Sequence, residues 1–211
     1  MTAAAIWLNT TFSDFDSAIT LAVHRLYEVS GTVLTPVMEF ISLLGKGGIF
    51  LIILSLCLLL NKKTRRTGTA MAIGLAIAAL LVNVWLKVVI ARPRPYADVN
   101  GLYYPLWQML GSHTESDFSF PSGHTNAAFA AMIPVFVLGD KRKSWLALVF
   151  GLLMGVSRIY LVVHFPSDVI GGILTGTFGG LLGVFLELHL PEKWYLWDLS
   201  RKKQAGRHEK R

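Results

Sequence analysis

Five apolar stretches constrain this chain more than any other feature. Met38–Leu60, Gly68–Ala91, Ser122–Gly139, Ser144–Val163 and Ser167–His189 are each close to the length of helix that crosses a bilayer. About 20 residues of α-helix are needed to cross roughly 30 Å of hydrocarbon. Composition agrees: 53% of residues are hydrophobic, 16% are charged, and the mean hydropathy is +0.52. A soluble domain carries about 25% charged residues. This chain has too few to cover a water-facing surface, and too many apolar residues to stay disordered. At 211 residues it reads as a single membrane-embedded domain over 1–211.

Before the first stretch, Asp16–Ser30 repeats Ile19, Val23 and Leu26 at helical spacing and carries Asp16, Arg25 and Glu28. That is an amphipathic helix, short for a span, expected to lie in the interface as part of a 1–30 segment or to insert partway into the bundle. The expected fold is an all-α polytopic bundle of five transmembrane spans plus this helix, six elements in all. Gly45-Lys46-Gly47-Gly48 is expected to break the first span, and Lys46 to snorkel. The small residues Gly171, Gly172, Gly176, Gly179, Gly180 and Gly183 predict close helix packing in the last span. The single cysteine, Cys57, excludes an intrachain disulfide and a cysteine-based zinc site and reads as packing. No basic n-region precedes an apolar h-region, so no cleavable signal peptide is expected.

The basic residues set an orientation. Asn61–Thr67 holds Lys62, Lys63, Arg65 and Arg66; Asp140–Lys143 holds three more, and the tail after Leu190 holds seven. With five spans, these fourteen of twenty fall on one side, which the positive-inside bias makes the cytoplasm. The N-terminus is then outside, and 191–211 is a basic cytoplasmic tail. The net charge of +7 is thus mostly an anchor for anionic headgroups. Nucleic acid is excluded as a partner because no reading motif accompanies the charge.

Lys87, Arg92, Arg94 and Arg158 are left at the opposite face, against that bias. Topology gathers three motifs there: Lys87 with Arg94-Pro95, then Pro121-Ser122-Gly123-His124, then Ser157-Arg158 with His164 and Asp168. Unpaired cations crowded at a membrane are costly, and a multiply charged anion relieves them. Arginine forks suit phosphate oxygens. Pro-Ser-Gly-His opens a helix whose free N–H groups form an anion cradle, and Gly123 lets the ligand approach its backbone. An unprotonated imidazole can attack phosphorus, and a second can protonate the leaving oxygen and activate water. The residues alone do not say which histidine does which, although Asp168, one turn from His164, can hold its far N–H. The remaining outer residues read more plainly. Arg92 is expected to be an interface anchor, and His113, Glu115 and Asp117 ordinary loop residues. Tyr96, Tyr103, Tyr104 and Trp107 form an aromatic belt that can also line the substrate entrance. Trp194, Tyr195 and Trp197 form a second belt at the other end.

These motifs resemble the type-2 phosphatidic acid phosphatase family, membrane relatives of bacterial acid phosphatases and vanadium haloperoxidases. The family pattern is a lysine, six residues and Arg-Pro; then Pro-Ser-Gly-His; then Ser-Arg, five residues, His, three residues and Asp. Lys87 to Arg94-Pro95, Pro121–His124 and Ser157–Asp168 match it at every motif position. Arg92-Pro93 has the wrong spacing from Lys87. The resemblance implies a metal-independent, cofactor-free phosphatase working through a phosphohistidine. His164 would be the nucleophile, His124 the acid and Asp168 the orienting group. Lys87, Arg94, Ser122, Gly123 and Arg158, with Ser157 beside them, would hold the phosphate. The substrate it implies is a lipid phosphate, first undecaprenyl diphosphate, alternatively phosphatidylglycerophosphate or phosphatidic acid. The site would lie on the extracytoplasmic face of a bacterial cell membrane. A lipid phosphotransferase and a non-catalytic transporter or scaffold are the rival readings. Vanadate is expected to inhibit and chelators are not.

Overall fold

The computed structural model describes residues 1–191; the aromatic belt at 194–197 and nearly all of the basic tail lie outside the described residues. Among these all regular secondary structure is helical. The elements are α1 (Ala3–Thr11), α2 (Ser13–Ser30), α3 (Leu34–Gly45), α4 (Ile49–Leu60), α5 (Arg65–Ala79), α6 (Lys87–Ile90), α7 (Tyr103–Met109), α8 (Gly123–Leu138), α9 (Trp145–Tyr160) and α10 (Pro166–Leu188).

Three helical stretches are long and apolar enough to cross a membrane: Leu34–Leu60, Arg65–Ala97 and Pro166–Leu188. Helices α8 and α9 are equally apolar but only 16 residues each. The first stretch begins four residues earlier than the sequence suggests and breaks as expected. Gly47 (φ 60°) and Gly48 (φ 68°) take left-handed conformations that a side chain disfavours, dividing α3 from α4. Between α5 and α6, Leu80–Leu86 winds as a wider π turn. Such turns mark functional sites, because they re-aim the side chains that follow. Here the residue that follows is Lys87.

Helix α10 packs against α8 and α5, α8 against α9, and α4 against α5. The glycines of α10 form the seam. A methyl on Gly172 would meet the Ser122 carbonyl oxygen at 2.7 Å, and one on Gly180 would meet Ile133 Cβ at 2.8 Å. Backbone therefore lies on backbone, which draws the start of α10 against the start of α8. Large apolar side chains such as Ile53, Val84, Trp85, Leu152, Leu174 and Phe178 face outward. So continuous an apolar exterior belongs in lipid. Cys57 is exposed on this exterior.

Of the two readings given for the N-terminal helix, the packing favours the one in which it joins the bundle. Helix α2 packs on α9 and α10, and its buried residues are Asp16, Thr20 and His24. Ile19 and Leu26, from the apolar repeat, are 38% and 44% exposed. The helix is turned over relative to a water-soluble amphipathic helix. Apolar groups gain little by leaving lipid, whereas an aspartate in lipid needs partners, so the polar stripe faces the bundle.

Candidate active site

The three motifs converge as the spacing implies. Arg94 follows α6, His124 stands in the first turn of α8, Arg158 in the last turn of α9, and His164 in the connection to α10. Arg94 Nη1 lies 2.9 Å from His164 Nε2 and also donates to the Val163 carbonyl at 2.8 Å. A guanidinium only donates, so Nε2 is the lone-pair nitrogen and the ring proton sits on Nδ1. Nδ1 faces Asp168 Oδ2 at 3.4 Å, a long contact. The imidazole is thus threaded between a cation and a carboxylate, with its lone pair toward the cations.

His164 is 2% exposed. Burial pushes its basicity well below the ordinary 6.5, and the charges of Arg94, Arg158 and Lys87 push the same way. A neutral ring is the form that can attack phosphorus.

Asp168 is fully buried and saturated. Its Oδ1 accepts from Arg92 Nη1 at 2.7 Å, and its Oδ2 accepts from the Phe165 backbone N–H at 2.9 Å and from the Ser119 hydroxyl. The bond from Phe165 makes Asp168 the cap of α10 as well as the partner of His164.

The cations are not empty-handed. Lys87 Nζ donates to Asp117 Oδ2 at 2.6 Å and to the Phe118 carbonyl at 2.8 Å. Arg94 donates to the Asp117 carbonyl at 3.0 Å and to its carboxylate, and Arg158 to Glu115 and Ser42. Asp117 and Glu115, read from sequence as ordinary loop residues, therefore sit on the phosphate-type cradle. Burial raises the Asp117 carboxyl, but the hydrogen bond and charge of Lys87, reinforced by Arg94, outweigh it and hold the group below its ordinary 3.8. The Lys87, Arg94 and Arg158 side chains are 4–6% exposed, whereas Asp117 is 50% exposed. In each pair the acid is the more exposed partner. His113 pairs with Glu39 at 2.9 Å.

Two expected cradle groups contribute differently. Ser122 is fully buried, with its N–H on the Asp168 carbonyl at 3.0 Å and its hydroxyl 3.0 Å from that of Thr125. Its side chain does not cap α8, which leaves the first N–H groups of that helix open. Gly123 lies over Lys87: a Cβ there would stand 3.9 Å from Nζ. Arg92, expected as an interface anchor, is instead 1% exposed and bound to Asp168, Ser167, Asp16 and Asn9. Two acids within reach compensate its charge, so it has no need of headgroups. Sequence reading missed Arg92, Ser119, Asp16 and Ser167. The signal for Asp16 was the polar repeat with Thr20 and His24 on a helix that belongs in lipid. Tyr96 and Trp107 stack at 4.6 Å over this end, and the Tyr96 hydroxyl accepts from the Glu115 N–H at 3.0 Å.

A cavity of about 510 Å³ opens from these groups. Lys87, Arg94, His124 and His164 line its polar end; Ile52, Leu56, Ala72, Leu75 and Ala76 line its wall along α4 and α5. A phosphate at the polar end and a hydrocarbon tail along the wall would both be matched.

Residues 67–188 match the PAP2 superfamily. An undecaprenyl-diphosphatase of Sulfolobus acidocaldarius is 32% identical over 160 residues, covering 76% of this chain and 74% of the relative. The undecaprenyl-diphosphatase BcrC of Bacillus subtilis is 32% identical over 161 residues, covering 76% and 78%. The crystal structure of a transmembrane PAP2-type phosphatidylglycerolphosphate phosphatase from Bacillus subtilis superimposes with a TM-score of 0.58 at 26% identity. It covers 90% of this chain and 98% of that one. Matched motifs, an apolar exterior and this convergence of cations and imidazoles agree: the chain belongs to the PAP2 superfamily and is a membrane lipid phosphatase.

Proposed function

We propose that this phosphatase acts on lipid diphosphates of the undecaprenyl diphosphate type, with His164 as nucleophile, His124 as acid and base, and Asp168 as orienting group. The observation that carries the reading is the line Arg94–His164–Asp168 opening into a cavity whose other wall is apolar.

Lys87, Arg94, Arg158, the open N-terminus of α8 and Gly123 take the terminal phosphate, while Asp117 and Glu115 give way. Arg94 turns from Nε2 to a phosphate oxygen, freeing the lone pair. Nε2 attacks phosphorus; the P–N bond forms as the P–O bond to the departing lipid phosphate breaks. The leaving oxygen takes the proton of His124. The bound anion makes that proton tenable among three cations. Nδ1–H stays on the ring and faces Asp168, which balances the positive charge that the imidazole gains. Water then gives a proton to His124 and attacks phosphorus; the P–N bond breaks and inorganic phosphate leaves.

Helix length supports a site at a bilayer edge. Sixteen residues of α8 or α9 rise about 24 Å, less than the roughly 30 Å of a hydrocarbon core. The His124 end of α8 and the Arg158 end of α9 then stop near headgroup depth. On a five-span reading with the basic turns at 61–67 and 140–143 in the cytoplasm, this end faces the extracytoplasmic side of what we take to be a bacterial cell membrane, with the C-terminus in the cytoplasm and 1–30 beside the bundle.

The test is phosphate release by purified chain in detergent from undecaprenyl diphosphate, phosphatidylglycerophosphate and phosphatidic acid. The diphosphate is expected to turn over with the highest kcat/KM, and His164→Ala to abolish release. Preference for a glycerophospholipid would overturn the substrate; undiminished release by His164→Ala would overturn the mechanism.

A further inference from the structure

Asp16 lies in α2, outside the segment that matches the family. It nonetheless reaches the start of α10. Its Oδ1 accepts from the Ser167 N–H at 2.8 Å, and its Oδ2 accepts from the Ser167 hydroxyl at 2.7 Å and from Arg92 Nη2 at 2.8 Å. Arg92 divides itself between two acids, giving Nη2 to Asp16 and Nη1 to Asp168 and Ser167. Its Nε donates to Asn9 Oδ1 at 2.8 Å, and its guanidinium lies 3.9 Å from the centre of the Phe165 ring. Asp16, Arg92, Ser167, Asp168 and His164 are all 0–4% exposed.

We propose that Asp16 is a positioning residue of the active site: it fixes Arg92, takes up part of its charge, and so leaves Asp168 free to support the imidazole of His164. The inference rests on the reading of His164 as nucleophile. Its logic is charge balance in a dry place. Asp16, Arg92 and Asp168 together carry one net negative charge. When phosphorus bonds to Nε2, His164 becomes cationic, and the group of four becomes neutral. Without Asp16, Arg92 would cancel Asp168 outright, and the cationic imidazole would be a buried, uncompensated charge, which is costly. The other charged groups around His164 are Arg94, Arg158, Lys87 and His124, with the acids Asp117 and Glu115 in the same cavity; those two are held by Lys87, Arg94 and Arg158 and give way to the phosphate, so they do not replace the charge of Asp16. Geometry points the same way. Among the described residues, Asp16 is the acid paired with Arg92 besides Asp168, so losing it also frees the guanidinium to pull Asp168 from the Nδ1–H.

The experiment uses the full chain, purified in detergent and assayed on whichever lipid phosphate the wild type hydrolyses. Asp16→Asn is expected to lower kcat by about 10- to 100-fold, in line with the cost of small misplacements at a reacting group. KM and the inhibition constant of inorganic phosphate are expected to stay within about twofold, because the cation cradle is untouched. The acid limb of kcat/KM is expected to move to lower pH, since a negative charge that favours the protonated ring has gone. Asp16→Glu returns the charge and is expected to recover most of kcat and the original limb. Asn9→Asp adds a charge against Arg92 Nε and is expected to move the limb upward; it carries the test if Asp16→Asn does not purify folded. An unmoved limb in either variant overturns the proposal. So does an Asp16→Asn kcat within twofold of wild type, or a fall in kcat, KM and phosphate affinity together that Asp16→Glu fails to reverse. Wild-type release that survives His164→Ala would sink the functional reading instead, so the two failures are distinguishable.

Discussion

Gly45 stands against His124 so closely that a methyl group on it would meet the imidazole Cδ2 at 2.7 Å, with Met154 Sδ at 2.8 Å on the other side. The break in the first long helical stretch therefore bears on the position of the His124 ring, the proposed acid, on another helix. Gly45→Ala should push His124 from the leaving oxygen and lower kcat by about 10- to 100-fold. KM should change little, because the cations are untouched. Steady-state phosphate release checks it; wild-type kcat would mean that the ring has slack.

On the proposed mechanism, His124 acts only where the leaving oxygen needs a proton. His124→Ala should lower kcat on a lipid phosphate by about 10²- to 10⁴-fold, the usual scale of general acid–base catalysis. An aryl phosphate, whose phenolate leaves unaided, should lose far less in the P–O cleavage step. Single-turnover rates on the two substrates make the comparison. Equal losses would assign His124 to phosphate holding.

Asp117 pairs with Lys87 and Arg94, the cations proposed to hold the phosphate, and on that reading competes with substrate. Asp117→Asn should tighten inhibition by inorganic phosphate or vanadate by about two- to fivefold, the scale of a partly exposed ion pair. Because its carboxyl is held below 3.8 by Lys87 and Arg94, the ion pairs persist through neutral pH. Their stabilisation is complete above the unfolded value and fades as pH falls through the lower folded one. Inhibition constants for the two proteins at pH 7 decide the matter; weaker binding in the variant would make Asp117 part of the cradle instead.

His164 is held neutral by burial and by neighbouring cations. The acid limb of kcat/KM, which reports the free enzyme, should therefore fall below pH 6.5. The sign for stability follows. Below 6.5 the unfolded chain binds a proton that the folded ring refuses, so this group costs stability as pH falls. A kcat/KM profile in detergent tests the first statement, and melting temperature against pH tests the second, with His164→Gln as the reference.

The catalytic end was legible because its residues sit at fixed spacings on spans whose direction the basic turns set. Lys87, Arg94, His124, Arg158, His164 and Asp168 needed no side-chain geometry to be grouped. Asp16 and Arg92 were not legible for a physical reason. Apolar positions such as Ile19 and Leu26 point inward in water and outward in lipid, so the same pattern supports opposite faces. Arg92 looked redundant beside Arg94, and only the folded chain brings two acids to it. Asp117 and Glu115 were missed because an irregular loop has no periodicity from which to read contacts. Helices α8 and α9 were recognised as apolar, while their shortness emerges only from their observed ends.

The seam of glycines along α10 has a consequence for which parts of the protein can yield. Where main chain abuts main chain there are no rotamers to repack, so α5, α8 and α10 form an anvil that holds the chemistry still. The opposite wall, with its two left-handed glycines between α3 and α4, has that freedom. Retooling this scaffold for tails of different girth is a matter of changing that wall and leaving the anvil alone.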